Sequence, residues 1–128
     1  MNADDVWNRA LDYEYDGPLA EGDRALRDLL LLDGMVQNGG LLHAVEGLEP
    51  PELAAALAGY RWFGLEVLAD GIAATAAEAA QAETLAQQEA LEERADDLYS
   101  GEHGSDQIDP AFSTKLAERP DAFAATAR

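Results

Sequence analysis

Apolar residues recur at intervals of three and four along most of the chain, and no alternating stretch exceeds a few residues, so the pattern predicts an all-α fold. A first helix over about Ala3 to Tyr13 places Val6, Trp7, Ala10 and Leu11 on one face. Asp16-Gly17-Pro18 then supplies turn chemistry. A second helix, about Asp23 to Gln37, carries Leu26, Leu29, Leu30 and Val36. Asn38-Gly39-Gly40 ends it, because Asn and Gly tolerate the left-handed conformation of a helix C-cap. A short helix over about Leu41 to Glu46 follows.

Pro50-Pro51 opens a helix with Leu53, Leu57, Tyr60 and Phe63 on its core face, since proline fits the first helical turn. Gly64 breaks it. Leu65, Leu68, Ile72 and Ala76 mark the next helix, to about Ala80. The run of Ala, Glu and Gln from Ala76 to Ala95 predicts a long helix reaching Tyr99, capped by Ser100-Gly101. Asp109-Pro110 reads as the N-cap and first turn of a helix with Phe112 and Leu116, and Pro120 starts a last short one with Phe123. The expectation is a compact single-domain bundle of about six to eight helices spanning residues 1–128.

Composition narrows what such a bundle can meet. The 128 residues hold 26 Asp and Glu against 8 Lys and Arg, a net charge of −18, while 48% hydrophobic residues supply a core. Phosphate backbones and anionic membranes demand basic surfaces, so neither is expected as a direct partner. With no cysteine, thiolate chemistry and cysteine-ligated zinc are out of reach. No secretory or membrane-spanning pattern stands out, which makes the cytoplasm the expected compartment.

The charge is unevenly placed. Residues 1–49 carry −8, residues 50–77 −2, residues 78–109 −9 and residues 110–128 +1, so half of it lies in a quarter of the chain. On a helical wheel Glu89, Glu92, Glu93, Asp96 and Asp97 fall within an arc of about 140°, opposite Leu91, Ala95 and Leu98. Leu85 falls among the acids in this register, which predicts a bend or break near it. Asp4, Asp5, Asp12, Glu14 and Asp16 form a second candidate acidic patch.

Other constellations offer chemistry. Asp12-x-Glu14-x-Asp16-Gly17 with Asp23 in the twelfth place overlays a calcium loop, but Glu at the third position, Pro18 at the seventh and Asp at the twelfth favour a solvated turn. His43 and Glu46 share a helical face without a second pair to complete a metal site. Ser100, His103 and Asp106 contain triad residue types, yet lie in one loop without a strand-to-helix elbow. Neither metal nor cofactor is expected, and no enzymatic activity. Trp62 reads as core packing or as a partner anchor, and Arg61 as a partner for nearby acids.

The stretch Leu32-Asp33-Gly34-Met35-Val36-Gln37-Asn38-Gly39-Gly40-Leu41-Leu42-His43-Ala44 resembles the signature of the bacterial DNA-mimic protein family, acidic helical domains with a helix ending in Asn-Gly-Gly. The likeness extends over about residues 23–124, through the aromatics before Gly64, Asp96-Asp97-Leu98-Tyr99 and Leu116 to Phe123. It implies a non-catalytic protein whose acidic surface stands in for duplex phosphates toward a basic DNA-binding protein such as a repressor or nucleoid protein; a monomer or homodimer is expected. A basic toxin, neutralised as immunity proteins do, is the alternative partner.

Overall fold

A computed structural model describes residues 1–126. Six α-helices follow one another: α1 (Ala3–Leu11), α2 (Glu21–Gly47), α3 (Pro50–Trp62), α4 (Glu66–Gln81), α5 (Leu85–Tyr99) and α6 (Ile108–Glu118). Single 3₁₀ turns cover Gly101–His103, Ser105–Gln107 and Pro120–Ala122, and no strand occurs among the described residues. No described helix is long and apolar enough to cross a membrane.

The architecture is built around α2, which packs against α1, α3, α4 and α5. Its leucines explain this central place. Leu26, Leu29, Leu30 and Leu32 are all buried, pointing to more than one side of the helix, so neighbours must surround it. At the crossing with α3 the backbones nearly touch, since a Cβ on Gly59 would lie 2.5 Å from the Ala25 carbonyl oxygen.

Short aromatic contacts join the ends of the chain to this core. Phe112 of α6 meets Trp7 of α1 edge-on at 5.3 Å, and Phe123 lies 5.9 Å from Phe112. Trp62 packs on Phe63 at 4.8 Å and Phe123 at 5.8 Å, with the Lys115 ammonium 5.1 Å from its ring centroid. It packs on the core and stays half-buried.

A buried ion pair locks the same region. Asp23 is fully buried and accepts from Arg9 Nη2 at 2.5 Å, from the Ala20 N–H at 3.0 Å and from the Ala124 N–H at 2.7 Å. Arg9 also donates to the Ala124 carbonyl at 3.0 Å. One carboxylate thus caps α2 and ties α1 and the C-terminal segment to it, and its charge is answered by three donors.

Four expected boundaries shift. The first helix stops at Leu11 rather than Tyr13, because Asp12 turns extended as its C-cap. Asn38 and Gly39 stay helical, and the break falls on Gly40, at φ 89° and ψ 169°. That is an extended positive-φ conformation open in practice to glycine alone, not the left-handed cap expected. The long helix from Ala76 to Tyr99 is two helices, broken just before Leu85 where the register of the acids predicts a bend or break: Thr84 accepts from the Gln87 N–H at 3.1 Å while Gln87 accepts from the Thr84 N–H at 3.0 Å. This reciprocal cap starts α5 afresh, and Leu85 in its first turn is 71% exposed. The last helix begins at Ile108, since the preceding 3₁₀ turn gives Gln107 helical angles (φ −75°, ψ −19°) and makes Asp109 a first-turn acid.

Candidate functional site

From Glu89 onward the acids and the buried residues of α5 fall on different sides. Leu91, Ala95 and Tyr99 are buried against the core. Glu89, Glu92, Glu93, Asp96 and Asp97 are all exposed on the other side. Among the described residues none of the five carboxylates is ion-paired. Arg94 turns away, reaching Glu78 on α4 at 3.5 Å.

The other bases among the described residues are occupied elsewhere, which leaves this surface uncompensated by them. Arg61 grips Glu66 at 2.6 Å and Asp70 at 2.7 Å, as its position suggested. Arg24 and Arg27 donate to the Leu19 and Asp12 carbonyls, each at 2.7 Å. Arg119 lies 3.4 Å from its near neighbour Asp121. Arg9 is consumed by Asp23.

The second group of acids divides between the two ends of α1. Asp4 and Asp5 are exposed in its first turn, where carboxylates favour the helix dipole. Asp12, Glu14 and Asp16 are exposed beyond its other end. The helical stretch from Val6 to Leu11 separates the two sets. Asp12 accepts from the Glu14 N–H at 3.1 Å, a local turn. Asp23, the twelfth position of the calcium-like spacing, spends its carboxylate on Arg9 and on the Ala20 and Ala124 N–H groups.

Asn38, Gly39 and Gly40 contribute geometry. The kink at Gly40 brings its backbone against α5, where a Cβ would stand 2.8 Å from Asp96 Oδ1. On the other side, a Cβ on Gly39 would lie 2.6 Å from the His43 ring. His43 and Glu46 are both exposed, and no three Asp, Glu or His among the described residues form a metal-holding group. Ser100 Oγ donates to the Asp97 carbonyl at 3.3 Å, while His103 lies 3.4 Å from Glu102. The triad residue types are not assembled.

Three adjoining clefts form a furrow from Asp96 of the α5 arc to Asp4 at the start of α1. The first, of about 280 Å³, is walled by Asp96, Tyr99, Gln37 and Ser105. A second of about 550 Å³ shares Gln37 and Ser105 and adds Asp33, Asp106, Asp109 and Trp7. The third, about 440 Å³, shares Trp7 and Asp109 and ends at Asp4. Among the described residues no Lys, Arg or His stands in these walls. Asp33, Asp106 and Asp109 escape a reading of the sequence because only folding brings them beside Asp4 and Asp96.

A buried relay fixes one wall. Tyr60 donates to Tyr99, and Tyr99 donates to Asp33 Oδ1 at 3.0 Å. Burial pushes both phenols above the ordinary tyrosine range, and the Asp33 charge adds to it. The relay ties α2, α3 and α5 together and orients one carboxylate of the furrow.

The chain matches no protein-family model, no curated protein and no solved structure.

Proposed function

We propose that this chain is a non-enzymatic acidic interaction protein of the cytoplasm, a DNA mimic that occupies the DNA-binding surface of a basic regulator or nucleoid protein. The observation that carries the reading is the α5 arc: five exposed carboxylates, unpaired among the described residues, on a helix anchored by Leu91, Ala95 and Tyr99. Side chains one turn apart lie about 5–6 Å from each other, a spacing comparable to that of successive phosphates along a strand. Carboxylates held this way repel one another by a few tenths of a kcal/mol per pair, and a basic partner relieves that repulsion. Complementary charge also speeds encounter and makes affinity fall with added salt.

Reversing Glu89, Glu92 and Glu93 together to Lys tests the arc without touching Asp96 at the kink. Capture of a DNA-binding partner is expected to fall by about 100-fold or more while the helical spectrum stays intact. Unchanged capture by the folded variant refutes the arc. A nuclease in the complex would favour toxin neutralisation instead.

A further inference from the structure

The α5 arc is convex, whereas the furrow beside it is concave and has a different lining. Two of its compartments, at about 550 and 440 Å³, fall within the range of roughly 300–1,000 Å³ typical of ligand sites. Trp7 forms the wall between them, half-buried and held edge-on by Phe112 at 5.3 Å. A fixed indole among carboxylates is a platform for a cation, which the ring attracts by its quadrupole. Asp4 and Asp109 also serve the first turns of α1 and α6. Asp33 lies in mid-α2, where it accepts from Tyr99, and Asp106 lies in the 3₁₀ turn that leads into α6.

The occupant follows from how the acids are spread. No three of them converge as a metal-holding group among the described residues, so a point cation is poorly matched. They stand in series instead, from Asp4 past Asp109, Asp106 and Asp33 to Asp96. Resting on the reading of this chain as the partner of a basic protein, we propose that the furrow takes an extended arginine- and lysine-bearing segment of that protein, one cationic side chain lying on Trp7. In an extended segment alternate side chains point the same way about 6.5–7 Å apart, so successive basic residues can enter adjoining compartments.

The probe is a synthetic extended peptide with three arginines at alternate positions, titrated into the isotope-labelled protein at low ionic strength and followed by NMR. The largest shifts are expected at the Trp7 indole N–H and the Asp106 and Asp109 amides. Asp106→Asn with Asp109→Asn should weaken binding by about fivefold or more, and Glu89→Gln with Glu93→Gln, which removes the same charge, by less than about twofold. Equal weakening by the two pairs, shifts confined to α5, or equally tight binding of spermidine at Trp7 would each overturn the proposal. If a captured DNA-binding protein is displaced by duplex DNA while the peptide leaves the furrow unshifted, the furrow assignment fails and the DNA-mimic reading stands. Peptide seated in the furrow without capture of any DNA-binding protein keeps the assignment and overturns that reading.

Discussion

Asp96 Oδ1 rests against the backbone of Gly40, at a point where a Cβ would come within 2.8 Å of it. The kink of α2 and the acidic face of α5 are thus in direct contact. Gly40→Ala must adopt φ near 89° and displace Asp96 as well. A positive-φ conformation of this kind costs about 1–3 kcal/mol in a residue with a side chain. Urea unfolding is expected to show that loss, with Asp96→Ala partly relieving it. An unaffected Gly40→Ala protein would mean that the kink does not need glycine.

Asp23 predicts the largest single loss. Its carboxylate is 1% exposed and Arg9 is 9% exposed. Removing one partner of such a pair leaves the other buried and unanswered, at about 3–5 kcal/mol. Asp23→Ala should lose that much in chemical denaturation and loosen the C-terminal segment in hydrogen exchange. Replacing both Asp23 and Arg9 with apolar residues should recover part of it.

The tyrosine relay gives stability a pH limit. Burial raises the folded pKa of Tyr60 and Tyr99 above the ordinary value of 10.0. Below that pH both phenols are neutral in the folded and unfolded chains, and their contribution is complete. Above it the unfolded chain ionises first, so unfolding is favoured as pH rises. Thermal melting is expected to hold up to about pH 10 and then fall. Substituting both tyrosines by Phe should flatten that alkaline decline, and an unchanged slope would contradict the assignment.

Thr84 tests the boundary between α4 and α5. Thr84→Ala removes the side-chain acceptor for the Gln87 N–H, a loss of about 1 kcal/mol. Hydrogen exchange should accelerate at Gln87 and its neighbours and leave α2 unchanged.

That boundary also shows what the sequence reveals. Propensity read from Ala76 to Ala95 favours one long helix, and Leu85 among the acids opposes it; the Thr84–Gln87 cap that makes the break escapes that reading, although Thr and Gln three apart are the residue types of a capping box. The acidic arc was legible, because helical period alone fixes which α5 residues share a face. The all-α core around Leu26, Leu29, Tyr60 and Ile72 was legible for the same reason. The furrow was not, since its walls come from residues 4 to 109 and no local spacing relates them. Nor was the Asp23 clamp, whose partners Arg9 and Ala124 lie far off in sequence.

On the proposed reading, the acidic face competes with DNA for one protein surface. The direct measurement captures the partner on immobilised protein at low salt and then adds duplex DNA or an equal charge of polyglutamate. Release of a DNA-binding protein by the duplex, at concentrations where polyglutamate releases little, is the predicted result. A partner that stays bound in excess duplex, or that has no affinity for DNA, would contradict it.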